Sequence, residues 1–142
     1  METGVPSESG SRIRPVEQWK RISLLISGIH CAVWGIFVIV FPSKSALVYG
    51  FGAPLHDDFL WQGTGLIVLL MGVGYCVASS DPSRHCLMVL VGLLAKILGP
   101  VGLLWTVWQG TIPADVLLLI PVNDMIWWYP FTRIVIDGFR RP

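Results

Sequence analysis

Lys96 and Asp124 are the two residues whose chemistry is most at odds with their surroundings. Each lies about ten residues inside an apolar run long enough to cross a bilayer. A charge in mid-membrane costs on the order of 3 kcal/mol or more unless it is paired. The two are therefore expected to touch, directly or through Asn123 or one water. Pro100 adds a second polar group at the same place: with no N–H to give, it leaves the Lys96 carbonyl, four residues earlier, free beside the amine. His30 supplies a titratable imidazole from another apolar run, and Trp34, Tyr75, Trp127 and Trp128 are the candidate aromatic walls. Two kinds of chemistry fit this set. A Lys–Asp pair with His and Asn as hydrogen-bond partners can fix helix register and nothing more. The same groups can form a site within a bundle for a small or partly apolar ligand, or for a proton-linked redox partner.

Other chemistries find no support. The three cysteines, Cys31, Cys76 and Cys86, form no CxxC, and two fall inside apolar runs where a small core hydrophobe is the plain reading. There is no Cys/His spacing suited to zinc, no Walker loop and no GxSxG, so no metal ligand and no catalytic residue is assigned. Net charge is +1, and the few basic residues sit at segment ends, which leaves no nucleic-acid footprint. Apolar residues make up 54% of the 142 and Asp, Glu, Lys and Arg only 13%, about half the usual charged share of a soluble domain.

The elements that must position the polar groups are four apolar runs at about 22–41, 59–78, 86–108 and 114–136, each long enough for about 30 Å of hydrocarbon. The expected architecture is an all-α, four-helix transmembrane bundle over residues 18–142, behind a flexible polar tail at 1–17. A cleaved signal peptide is not expected, because the first apolar run continues for about twenty residues with no small-residue cleavage site after it. Asp81-Pro82 reads as a cap and first helical proline that could start the third helix early. The long connection at 43–57 contains Ala46-Leu47-Val48-Tyr49 and Phe51, too apolar for a solvated loop, and predicts a short interfacial helix. Eight basic residues flank one side of the spans (Arg12, Arg14, Lys20, Arg21, Arg84, Arg133, Arg140 and Arg141) against Lys44 alone on the other, which places both termini in the cytoplasm.

With that orientation, Lys96, Asp124 and His30 lie about 18, 15 and 16 Å below the outer ends of their helices at 1.5 Å per residue. Three helices thus bring ionisable groups to one depth, with Gln62 nearer the outer surface. Ser23, Ser27, His30 and Trp34 form one stripe on the first helix, and Asp124, Trp128 and Phe131 share a face of the fourth. Trp61, Trp105 and Trp108 suit an outer interfacial belt. Gly28 and Gly35, Gly65 and Gly72, and Gly92 and Gly99 are seven apart, a spacing that lets helix backbones approach along one stripe. On this pattern Gly92 and Gly99 leave room beside Lys96 for a neighbour, while Pro121 and Pro130 kink the fourth helix.

The run Trp61-Gln62-x-x-Gly65, Gly72-x-Gly74-Tyr75, Asp81-Pro82-x-Arg84-His85, Lys96-x-x-Gly99-Pro100 and Asn123-Asp124-x-x-Trp127-Trp128-x-Pro130-Phe131 resembles a group of small, uncharacterised bacterial membrane proteins. These have four helices and are distantly similar to DoxX-like proteins. The resemblance covers residues 20–137. It implies an inner-membrane location and an association with membrane quinone and sulfur redox systems. A hydroperoxide reductase label attached to some members finds no peroxidatic cysteine motif here.

The leading expectation is a non-catalytic, accessory membrane protein of a redox or envelope system. It would bind a quinone-like molecule at His30, Trp34, Lys96, Asn123, Asp124, Trp127 and Trp128. Its partners would be the lipid bilayer and either a membrane redox protein or further copies of itself. The alternatives are a small transporter or proton-conducting protein using the same cluster, and a structural or assembly protein with no ligand.

Overall fold

The computed structural model describes residues 15–52 and 55–140, so the expected tail lies outside the described residues except for its last three, which open a helix. Helix α1 runs Pro15–Val40, α2 Pro42–Val48, α3 Asp58–Ala78, α4 Cys86–Trp108 and α5 Ile126–Phe139. Among the described residues there is no strand. Three helices, α1, α3 and α4, are long and apolar enough to cross a membrane. Their large apolar side chains point outward: Ile29, Val33 and Ile36 on α1, Ile67 and Leu70 on α3, and Leu94 and Leu98 on α4 are all exposed. Such a continuous apolar exterior suits lipid rather than water as the surrounding solvent.

α3 and α4 match the expected second and third spans to within a residue. α1 starts seven residues before the expected limit of its apolar run because its polar first turns are still helical. The reason Lys20 belongs there is at the other end of the chain. Its amine lies 3.0 Å from an Asp137 carboxylate oxygen, so the start of α1 and the end of α5 meet at one end of the molecule. The Lys20 ammonium bonded to Asp137 holds that carboxyl below the usual carboxylate range. A lowered folded pKa stabilises the fold above the ordinary carboxylate value of about 4, and that contribution is lost as pH falls through the folded value. Thermal stability in detergent is therefore expected to be flat from neutral pH down to about 5 and to fall below about 4. In Asp137→Asn the midpoint should be lower at neutral pH, with less of that acid-side loss.

The early start expected at Asp81-Pro82 is not taken. Residues 82–85 form a turn, in which Asp81 accepts the Arg84 backbone N–H at 3.1 Å, and the helix begins at Cys86. The expected fourth span is not one α-helix. Ala114–Leu118 is a 3₁₀ turn and Pro121–Met125 is a π turn, closed by the Ile126 N–H bonding the Pro121 carbonyl five residues back. Pro121 explains the change: it cannot donate to Leu117, and the wider turn that follows re-pairs the backbone. At Pro130 the α-helix simply continues.

α1 and α3 form the closest pair. A Cβ built on Gly35 would lie 2.6 Å from the Gly65 carbonyl oxygen and from the Leu69 amide nitrogen; one on Gly72 would lie 2.7 Å from the Gly28 carbonyl oxygen. The two seven-residue glycine pairs thus mesh with each other. Gly92 on α4 instead admits the ring of Tyr75, which stands edge-on to Phe131 in the core. Gly99 faces open space, so it does not make room beside Lys96 as expected.

Candidate functional site

Lys96 is 7% exposed, carried on α4 at the level of the π turn. Its amine donates to the Asn123 backbone carbonyl at 2.8 Å and to Asp124 Oδ1 at 3.4 Å. The Asn123 side-chain amide donates to the other Asp124 oxygen at 3.4 Å. The contact expected between lysine and aspartate is therefore present, with the shorter bond going to backbone. The Lys96 carbonyl freed by Pro100 is also satisfied: the Trp128 indole N–H donates to it at 3.0 Å. Trp128 thus ties α5 to the break in the α4 hydrogen-bond ladder, while Trp127, beside it, turns inward and is buried with Phe131, Ile134 and Val135.

A cavity of about 150 Å³ opens beside the pair. Lys96, Asn123, Asp124 and Trp34 line it, as expected site residues; Tyr75 forms a further wall. Cys31, Tyr49, Val68, Met71 and Ala95 complete it. A second cavity of about 90 Å³ is lined by His30, Leu119 and Val122, and shares Trp34, Tyr49 and Asn123 with the first. His30 makes no hydrogen bond to Lys96 or Asp124. Its Nδ1 is buried without a partner, and its ring lies 5.8 Å from that of Trp127. Trp127 and Trp128 line neither cavity; one supports His30 and the other Lys96.

Sequence reasoning missed Tyr49 and the lining role of Cys31. Tyr49 follows α2, the short helix expected in the long connection. α2 turns Ser45 and Ala46 inward, and Ser45 accepts the Trp61 indole N–H at 2.8 Å while donating to the Pro42 carbonyl. The Trp61 ring packs edge-on to Tyr49 and Phe51. Trp105 and Trp108 are exposed and lie against each other. The Tyr49 hydroxyl accepts the Trp34 indole N–H at 3.1 Å, which leaves its own O–H uncommitted among the described residues. Gly50, at φ +73°, makes the turn that brings Tyr49 over the cavities; a side chain there would also strike Pro113. The usable signal was the aromatic content of a loop too apolar to be solvated.

Among the described residues no group of three or more His, Cys, Asp or Glu is placed to hold a metal, and all three cysteines are free thiols. No family model matches the chain, and no curated protein or solved structure shows significant similarity to it.

Proposed function

We propose that this chain is a four-span membrane protein with cytoplasmic termini, whose bundle holds a small apolar molecule carrying hydrogen-bonding oxygens. The observation that carries the reading is that the Lys96–Asp124 pair borders a cavity of about 150 Å³. That is about the volume that accepts one benzene-sized ring. The lysine amine has three N–H bonds and two neighbours within reach, leaving one to offer, and Tyr49, which lines the same cavity, offers a hydroxyl. Two donors around an aromatic-walled cavity suit a ring with acceptor oxygens, such as a quinone headgroup. The DoxX-like resemblance points the same way, towards an accessory role in a redox or envelope system of a bacterial inner membrane. Four crossings are supported by the Lys20–Asp137 contact, since an even number of spans returns the chain to the side on which it started.

Protein purified in mild detergent and extracted for mass spectrometry is expected to release a one-ring oxygenated compound, absent from a Lys96→Met, Asp124→Leu variant. An extract identical to that of the variant would remove the ligand. A cytoplasmic reporter fused after residue 142 should be active; activity of a periplasmic reporter alone would overturn the orientation.

A second reading is favoured by one feature, the non-α backbone at Asn123 and Asp124. Broken helices at mid-membrane mark substrate and ion paths in transporters. Solute or proton flux in reconstituted liposomes, lost in Asp124→Asn, would support it over the first.

A further inference from the structure

We infer that the cavity beside Lys96 is loaded sideways from the bilayer, through an opening between α3 and α4, by a neutral lipid-dissolved ring compound. This rests on the membrane and ligand reading above and adds the route and the source. The key residue is Ala95. It lines the cavity and is also exposed on the outer face of α4, so the cavity reaches the surface of the bundle there. Val68 and Met71 form the facing edge on α3.

The packing of the two helices explains the opening. α3 and α4 interlock toward one end, where Gly92 receives Tyr75 and Gly74 receives the Met88 methyl. At the level of Ala95 and beyond they do not: nothing lies within 4 Å of where a Cβ on Gly99 or Gly102 would be. α1 and α3, by contrast, are meshed through both glycine pairs, so no comparable gap exists on that side.

Two directions out of the cavity are obstructed. Toward α2, Tyr49 is held by Trp34 and packed against Trp61. Toward the other end, Tyr75 is 1% exposed and stacked edge-on to Phe131. The faces flanking the opening, Leu70 on α3 and Val91, Leu94 and Leu98 on α4, are apolar and exposed, which disfavours approach of a charged solute. Inside, the lysine charge is already matched by Asp124, so a neutral ligand leaves the balance intact.

Cys31 is a natural reporter, because it lines the cavity and is 7% exposed. In a Cys76→Ser, Cys86→Ser background reconstituted into vesicles, an uncharged aromatic maleimide is expected to modify Cys31 at least about tenfold faster than a sulfonated one, since the charge is excluded from lipid. Ala95→Phe, or Val68→Phe from the facing edge, should slow the uncharged reagent about tenfold by filling the opening. Ala95→Ser, which keeps the opening, and Tyr49→Phe, which loosens only the α2 side, should both react as the parent does. Equal rates for the two reagents, or no slowing in either plugged variant, would overturn the side route. So would acceleration by Tyr49→Phe. The measurement reads access and not occupancy, so an empty cavity leaves the route testable. A bound compound found beside a Cys31 that only the sulfonated reagent reaches would keep the ligand and discard the route.

Discussion

Lys96→Met is expected to destabilise the fold by about 3–5 kcal/mol, the cost of leaving Asp124 buried without its partner. The reverse change should cost less. In Asp124→Asn the amine keeps its shorter bond, 2.8 Å to the Asn123 carbonyl, against 3.4 Å to the carboxylate it loses. A loss of about 1–3 kcal/mol is expected there. The double change Lys96→Met with Asp124→Leu removes both buried charges and should recover much of the stability, so the two effects are strongly non-additive. Unfolding in mixed micelles of increasing denaturing detergent measures all three. Equal and additive losses would mean that the two groups do not share a buried environment.

The same double variant separates a structural pair from a functional one. Stability regained together with a normal cell-level phenotype and an unchanged lipid extract identifies the pair as a register device. Stability regained with the bound compound lost assigns the charges to the site. Trp128→Phe gives an intermediate case, because it unties α5 from the Lys96 carbonyl without touching either charge.

Those charges were legible because lysine and aspartate stand out inside apolar runs, and depth counting alone put them at one level. α3 and α4 were legible for a related reason: each is one uninterrupted apolar run bounded by polar turns. The fourth segment was not. Two prolines announce irregular backbone but do not say whether the chain kinks or widens, and the π turn at Pro121–Met125 inserts extra backbone just before the tryptophans. That changes which neighbour faces inward, so Trp127 is buried and Trp128 reaches Lys96 from the edge. Placing His30 with Lys96 by depth was too coarse, since rotation about α1 puts it in the adjoining cavity. Tyr49 was hidden because its partners, Trp34 and Trp61, come from two other helices and no local pattern encodes the meeting.

Gly35→Ala is expected to cost about 2–3 kcal/mol, although helix propensity alone would make the same change favourable by about 1 kcal/mol. The added methyl carbon would lie 2.6 Å from both the Gly65 carbonyl oxygen and the Leu69 amide nitrogen. Both are backbone atoms of α3, so no side chain can swing aside and the two helices must separate. Separation also weakens the reciprocal contact at Gly65, where a Cβ would meet the Val38 side chain at 2.7 Å and the Gly35 carbonyl at 3.0 Å. Lipid offers no hydrophobic drive to hold the helices together at the larger distance, because the tails are as apolar as the side chains they would replace. Gly102→Ala is the matched control: it lies in α4 with open space around it, so propensity should act unopposed and stabilise by up to about 1 kcal/mol. The two changes are chemically identical and should have opposite signs in the same detergent titration. A neutral or stabilising Gly35→Ala would show that α1 and α3 are not in backbone contact. Cys31 and Trp34 flank Gly35 on the cavity side of α1, so a real separation should also speed Cys31 modification by the uncharged maleimide.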